Sequence, residues 1–196
     1  DSCETTDWLM QLHELGPVTL ENNEITGNKH GGVRISELYG DVLIKGNVFS
    51  NNIQGSIYVD RTYRENISVK IDENKINSGN NYSGEIGVVN LRQGTEVLIQ
   101  NNTIEKRGNA IHGYLSDGGT PQILGNTIGG SEGTGINAYG KATPIIKNNT
   151  IEDKQNGVRV EYNDANGDGS STITGNVIKG NTGYGIKVEN YAKPVI

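Results

Sequence analysis

The amino-acid sequence predicts an all-β protein: a right-handed parallel β-helix of about seven to eight short coils, with a short capping helix at its N-terminal end. Three observations favour this solenoid fold. A sequence unit returns every 23 to 28 residues, its large apolar residues stand at fixed offsets, and one segment of each unit alternates between apolar and polar residues. Repeats with periods of roughly 20 to 50 residues are typical of solenoids, whose units bury their apolar sides by stacking.

The composition is unusual for a compact globular protein of 196 residues. Only 33% of the residues are hydrophobic and 6% are aromatic, whereas glycine occurs 28 times. So polar a composition is also found in disordered chains. Here, however, the Ile, Val and Leu residues recur at fixed positions, which predicts an ordered chain.

Charge and hydropathy exclude several classes of protein. The net charge of -6 disfavours a nucleic-acid binder that works by neutralising phosphates. The sequence contains no apolar run of about 18 residues, so we expect no membrane span. Cys3 is the only cysteine, so no internal disulfide is expected.

One asparagine marks each repeat. An aliphatic residue stands three positions before it and a large apolar residue two positions after it, without exception. The seven asparagines are Asn23, Asn47, Asn74, Asn102, Asn126, Asn149 and Asn176. The apolar residues that follow them are Ile25, Phe49, Ile76, Ile104, Ile128, Ile151 and Ile178.

These offsets predict how the coils stack. Each unit holds two or three strands of three to five residues, and equivalent strands pair in parallel at about 4.8 Å per coil. We expect the inward apolar residues to form ladders. The asparagines are expected at a corner, with a left-handed backbone conformation and side-chain amides bonded to the asparagines above and below.

The two ends of the chain differ from the repeats. Residues 1–16 are predicted to form a cap, since Asp7 can begin a short helix to Leu15 with Trp8 and Leu12 on one face. Residues 17–196 are predicted to form the β-helix, with seven repeats and the start of an eighth. Two interpretations of the uncapped C-terminal end stay open: a fragment of a longer protein, or self-association through that end.

The unit aliphatic-x-x-Asn-x-aliphatic, followed by Gly-aliphatic-x-aliphatic, resembles the pectate-lyase-like right-handed parallel β-helix superfamily over residues 16 to 191. Within it the chain is most similar to short-repeat β-helix modules of polysaccharide lyases, alginate epimerases, cell-surface proteins and periplasmic copper-binding proteins. The resemblance implies the fold and no single activity, because this fold hosts many functions. The copper-binding relatives imply metal ligands, but His13, His30 and His112 are spread too widely for a transition-metal cluster.

A lengthened turn contains a motif with the chemistry of a calcium loop. Asp164, Asn166 and Asp168 alternate in the pattern D-x-N-x-D-G, and oxygen ligands of this kind suit a hard cation. The twelfth position is Gly175 instead of glutamate, which excludes an EF-hand. Calcium bound by a β-helix loop and a plain polar turn both remain as interpretations, and no organic cofactor is expected.

Outward positions of the Gly-led strands form two rows, here called the polar strip. The first row is Arg34, Tyr58, Gly87, His112, Asn137, Arg159 and Lys187. The second row is Ser36, Asp60, Val89, Tyr114, Tyr139, Glu161 and Glu189. By contrast, the outward row before the asparagines lacks the clustered acids and arginine of a pectate-lyase active site.

The residue types in the polar strip suggest contact with a polysaccharide. Tyr rings stack on sugar faces, and guanidinium and ammonium groups pair with the carboxylates of acidic sugars. We expect binding by the residues Arg34, Tyr58, Asn137, Tyr139, Glu161 and Lys187. The alternative is that these outward positions are simply solvated.

The same strip holds the groups for proton abstraction beside a uronate. His112 would be the base, Tyr114 the acid and Arg159 the charge neutraliser. No lyase or epimerase motif is matched in order, so whether the chain is an enzyme stays open.

Three hypotheses of function follow. The first is an extracellular, cell-surface or periplasmic module that contacts polysaccharide or a cell-surface glycan, acidic in character. The second is a polysaccharide lyase or C5-epimerase that acts on uronans. The third is a structural surface or fibre module that assembles end to end.

Overall fold

The computed structural model describes residues 10–13, 16–77, 84–105, 108–165 and 169–196, and for residues 114–118 it describes the backbone alone. All the strands it describes pair in parallel, in three sheets of eight, seven and seven strands. No helix occurs among the described residues. The predicted all-β parallel β-helix of about seven coils is therefore confirmed.

Sheets B and C hold the two strands that flank the asparagine of each repeat. Sheet B is formed by β2 (Val18–Glu21), β5 (Val42–Lys45), β8 (Ser68–Asp72), β11 (Glu96–Gln100), β14 (Gln122–Leu124), β17 (Ile145–Lys147) and β20 (Thr172–Thr174). Sheet C is formed by β3 (Glu24–Thr26), β6 (Val48–Ser50), β9 (Lys75–Asn77), β12 (Thr103–Glu105), β15 (Thr127–Gly129), β18 (Thr150–Glu152) and β21 (Val177–Lys179).

Sheet A holds the longer, Gly-led strands. They are β1 (Met10–His13), β4 (Gly31–Leu38), β7 (Gly55–Thr62), β10 (Ile86–Val89), β13 (Ile111–Gly119), β16 (Thr134–Ala142), β19 (Asn156–Tyr162) and β22 (Ile186–Asn190). Each coil thus runs once through sheets B, C and A, and it advances by one strand in each sheet.

The core is a set of straight apolar ladders inside the coil. On sheet C, for example, Ile25 pairs with Phe49, Phe49 with Ile76, and Ile104 with Ile128. Phe49, Ile104 and Ile128 are completely buried. Full burial of an aliphatic or aromatic side chain stabilises the folded state by roughly 1.5–3 kcal/mol.

The corner between sheets B and C carries a continuous ladder of asparagine amides. The side chain of Asn102 illustrates the pattern: its Nδ2 donates to Oδ1 of Asn126 at 3.0 Å and to the carbonyl oxygens of Ile71 and Gln100. Its Oδ1 accepts from both the backbone N and Nδ2 of Asn74. The same side-chain bond connects all seven asparagines, from Asn23 to Asn176.

The left-handed conformation at this corner belongs to a different residue from the one expected. The ladder asparagines themselves do not have positive φ angles; the residue directly before each of them does, as at Asn22, Glu73 and Asn101. The physical reason is that the chain reverses direction at the residue before the ladder asparagine. The asparagine itself then leads into the sheet C strand with its side-chain amide directed into the coil.

The N-terminal segment corrects one expectation. Where a helix was predicted over residues 7–15, Met10–His13 form a strand that pairs in parallel with β4, and the remaining residues of that range lie outside the described part. Met10 and Leu12 pack against the core. Their alternation with Gln11 and His13 suits a strand, and pairing supplies the backbone partners that the edge of β4 needs.

Some glycines of sheet A are required by close approach. A Cβ atom at Gly157 would lie 2.5 Å from Cγ2 of Ile178 and 2.5 Å from the carbonyl oxygen of Gly185. The beginning of strand β19 in sheet A therefore packs directly on the side chain of Ile178 in sheet C. This contact fixes the position of the outward residues that follow Gly157.

Candidate functional site

The polar strip lies on the outer face of sheet A, where the strand register places its residues in two straight rows. In the first row, Tyr58 pairs with Gly87, Gly87 with His112, His112 with Asn137, and Asn137 with Arg159. Arg34 precedes Tyr58, and Lys187 follows Arg159. Spacing between neighbours is therefore one strand, about 4.8 Å.

The second row runs beside the first. Asp60 pairs with Val89, Val89 with Tyr114, and Tyr114 with Tyr139, while Glu161 pairs with Glu189. The Tyr114 side chain is outside the described part, so only its backbone position is assigned.

The strip is only partly exposed to solvent. His112, Asn137, Tyr139 and Arg159 are half-buried, and Asp60 is buried. Neighbouring side chains of the strip therefore cover one another, which holds them in defined positions.

His112 and Tyr139 form a pair at the centre of the strip. The Tyr139 hydroxyl lies 2.8 Å from Nε2 of His112, and the two ring centroids are 5.0 Å apart at an angle of 56°. Nδ1 of His112 is buried and has no hydrogen-bond partner. Burial lowers the pKa of the His112 imidazole, which favours the neutral form of the ring.

Arg159 is the centre of an ion-pair network at the C-terminal end of the strip. Its Nη2 donates to Oε2 of Glu161 at 2.5 Å, its Nε donates to Oε2 of Glu189, and its Nη1 donates to Oδ1 of Asn137 at 3.2 Å. Lys187 forms a second ion pair with Glu189, at 2.9 Å. Hydrogen bonds from Arg159 and Lys187 lower the pKa of the Glu189 carboxyl.

One more residue joins this network without any signal in the repeat. Nδ2 of Asn190 donates to Oε1 of Glu161 at 2.7 Å and to Oδ1 of Asn163 at 3.0 Å. Asn190 has a φ angle of 56°, in the left-handed region of backbone conformation. The pairing of Asn190 with Tyr162 on the neighbouring strand places its side chain within reach of Glu161, and the sequence repeat gives no sign of this contact.

The N-terminal end of the strip is built around Arg34, Tyr58 and Asp60. Arg34 lies 3.6 Å from the Asp60 carboxylate, and its guanidinium is 5.6 Å from the centre of the Tyr58 ring. A Cβ atom at Gly87 would lie 2.5 Å from Cδ2 of Tyr58, so the Tyr58 ring packs against the glycine. Burial and the Asp60 carboxylate raise the pKa of the Tyr58 hydroxyl.

The three residues expected to abstract and return a proton are not drawn together at one point. Arg159 is two strands from His112, about 10 Å along the sheet by strand spacing. The side chain that contacts His112 is Tyr139, which was expected to bind substrate. A hydrogen-bonded phenol and imidazole are therefore present, whereas the guanidinium lies further along the strip in its own ion pairs.

The expected calcium ligands are only partly described. Asp164 forms a 3.1 Å ion pair with Lys141, while Asn166 and Asp168 lie outside the described residues. Across the described ranges, no group of three or more His, Cys, Asp or Glu side chains is arranged to hold a metal ion. Calcium binding by this loop stays a prediction.

Comparison with known proteins gives one match. The family model described as "Right handed beta helix region" matches residues 65–196, more than half of the chain. No curated protein and no solved structure shows a significant match. In the described part of the chain no helix is long and apolar enough to cross a membrane.

Proposed function

Since this chain belongs to the right-handed β-helix family, we propose that it is an extracellular or cell-surface module that binds a polysaccharide lengthwise along the polar strip. The observation that carries the proposal is the register of the polar strip across seven parallel strands of sheet A, six of which contribute Tyr, His, Asn or charged side chains. At about 4.8 Å between strands, the strip is roughly 29 Å long. A straight, repetitive surface of this length is complementary to an extended, repetitive polymer.

The centre of the strip has the chemistry to contact sugars. The Tyr139 and His112 rings offer apolar faces with polar edges, which suit the mixed apolar and hydroxyl surface of a sugar ring. The Asn137 side chain lies between His112 and Arg159 in the first row and carries both donor and acceptor groups. Because these groups are already held by their neighbours, ordering them on binding costs little conformational entropy.

Binding to a glycan array, followed by calorimetry with the best oligosaccharide, tests this proposal. Tyr139→Ala is expected to weaken binding at least tenfold, because the ring loses its stacking contact. Tyr63→Ala is the matched control, since Tyr63 is a partly exposed ring that stacks on Tyr39 in the turn after β7, outside the strip. Absence of binding to every glycan, or equal loss in both variants, contradicts the proposal.

A second function, a uronan lyase or C5-epimerase, is favoured by one observation. The 2.8 Å contact between His112 and Tyr139 joins a neutral imidazole to a phenol, which are a base and an acid of the kind proton abstraction needs. The reaction also needs a cation to neutralise the uronate carboxylate, and Arg159 is held by two carboxylates. Unsaturated product, or solvent deuterium at C5, would establish this activity, and its loss in His112→Gln would assign the base.

A further inference from the structure

The charged residues of the polar strip balance one another. The strip carries three cations, Arg34, Arg159 and Lys187, and three carboxylates, Asp60, Glu161 and Glu189. Each cation has a carboxylate of the strip within 3.6 Å. The two rows therefore neutralise each other across the face of sheet A.

The Arg159 guanidinium is occupied by hydrogen bonds to other residues of the strip. Each of its three nitrogens donates a hydrogen bond within the strip: to Glu189, to Glu161 and to Asn137. The carboxylate of Glu161 is held in turn by Nδ2 of Asn190. Arg159 is thus fixed by partners from its own strand and from the strands on both sides.

These carboxylates compete directly with an acidic ligand. An incoming uronate would have to displace a carboxylate that is tethered beside the cation, and tethered groups compete at effective concentrations of millimolar order. If it bound without displacing them, its charge would lie against Glu161 and Glu189. Like charges brought together at an interface lower affinity and exclude the wrong partner.

The side chains at the centre of the strip are uncharged, and they are held by bonds to one another and to Arg159. His112 and Tyr139 present rings, a phenol and an imidazole, and Asn137 presents an amide. Such a set recognises hydroxyl groups and the apolar faces of sugar rings.

We propose that the polar strip binds uncharged polysaccharides and rejects acidic ones, and that the ion pairs of Arg159 with Glu161 and Glu189 cause the rejection. This proposal rests on the proposed function, because it names the class of glycan that the same strip accepts. It departs from the acidic glycan expected from the residue types alone, since residue types do not show which cations are already paired.

The test compares wild-type binding to neutral glycans (glucans, mannans, xylans and galactans) with binding to uronans and to the same uronans as methyl esters. The expected result is binding to at least one uncharged glycan, at least tenfold weaker binding to every uronan, and little dependence on salt. Preferred binding of a uronan, with affinity that falls as salt rises, overturns the inference but keeps the proposed function. Failure of every glycan to bind overturns the proposed function itself.

A gain of affinity gives the sharper test. The double substitution Glu161→Gln with Glu189→Gln keeps the shape of both side chains but leaves Arg159 and Lys187 without counter-charges. We expect the ratio of uronan affinity to neutral-glycan affinity to rise at least tenfold in this variant, because the freed cations attract a carboxylate and give nothing comparable to an uncharged sugar. Glu189→Gln alone, a smaller change to the network, is expected to give part of the gain and serves if the double variant does not fold.

Glu152→Gln is the matched control, because Glu152 pairs with Lys179 at 3.0 Å on sheet C, away from the strip. It removes one negative charge from the chain without freeing a cation of the strip. No gain in the strip variants, or the same gain in Glu152→Gln, would show that the ion pairs of Arg159 do not set the selectivity.

Discussion

Tyr139 and His112 lie 27 residues apart in the sequence, yet the Tyr139 hydroxyl is 2.8 Å from Nε2 of His112. The strand register pairs His112 with Asn137 and Tyr139 with Tyr114, so this contact crosses diagonally between adjacent strands. It joins the two rows of the polar strip at their centre. The other ring nitrogen of His112 is buried without a partner, which makes the charged imidazolium unfavourable there.

The first prediction concerns the pH dependence of stability. Burial lowers the pKa of His112 below its ordinary value of 6.5, so the unfolded chain binds this proton at a higher pH than the folded chain. The contribution of the neutral imidazole to stability is complete above pH 6.5 and is lost as the pH falls from there through the lowered pKa of the folded protein. His112→Gln is expected to show a smaller decrease in melting temperature between pH 7.5 and pH 5 than the wild type.

His13→Gln is the control for that experiment, because His13 is an exposed histidine on the same sheet. It shows whether the loss of any histidine, rather than of the half-buried His112 imidazole, changes the pH dependence. An equal pH dependence in His112→Gln and the wild type would contradict a lowered pKa at His112, as would an NMR titration of the imidazole with a midpoint at or above 6.5.

The second prediction concerns the asparagine ladder. Asn102→Ala removes the oxygen that accepts from the backbone N–H of Asn74 and the nitrogen that donates to the carbonyl oxygen of Ile71, both of them buried bonds. Each buried polar group left unsatisfied costs about 1–3 kcal/mol, so we expect the free energy of unfolding to fall by about 3 kcal/mol or more. Urea denaturation measures this loss.

Asn176→Ala removes the same side chain where the ladder is less buried. Asn176 is half-buried, so water can replace some of its hydrogen bonds, and a loss of about 1 kcal/mol is expected. Similar losses in Asn102→Ala and Asn176→Ala would show that burial of the ladder does not determine its contribution.

The third prediction concerns the contact between sheets A and C. Gly157→Ala places a methyl group 2.5 Å from both Cγ2 of Ile178 and the carbonyl oxygen of Gly185, and the backbone oxygen has little freedom to move. Overpacking of this kind typically costs about 1–3 kcal/mol. Gly129→Ala is the control, since no atom lies within 4 Å of its added Cβ, and its melting temperature should equal or slightly exceed that of the wild type.

The fourth prediction concerns the Arg159 network. Arg159→Gln removes the hydrogen bond that does most to lower the pKa of Glu189, so this pKa should rise towards its ordinary value while Lys187 keeps it partly lowered. Carbon-13 NMR of the side-chain carboxyl, followed over a pH titration, measures the change. An unchanged titration midpoint for Glu189 would show that Arg159 is not its main partner in solution.

The repeat in the sequence is sufficient to predict the fold, because apolar residues at fixed offsets leave stacking as the one way to bury them together. The inward positions of sheets B and C follow directly from the spacing around Asn102 and its equivalents. The rows of the polar strip follow in the same way, since the side chains of a strand alternate between its two faces.

Two expectations depended on local signals and differ from the structure. Met10–His13 have apolar residues that suit a helix with Trp8 and Leu15, but the open edge of β4 provides hydrogen bonds that favour a strand. The left-handed conformation falls on Asn22, Asn101 and their equivalents instead of on the ladder residues, because the tight point of the turn precedes the buried amide.

The sequence by itself determined the stacking of the coils, the inward ladders and the set of residues that face outward on sheet A. Only the tertiary structure decided which of those outward residues contact one another: Tyr139 with His112, and Arg159 with Glu161, Glu189 and Asn137. The physical reason is that the repeat fixes the backbone register, whereas a long side chain such as that of Arg159 can reach hydrogen-bond partners on several strands. Which partners it contacts depends on the charges, hydrogen-bonding groups and space in the neighbouring coils.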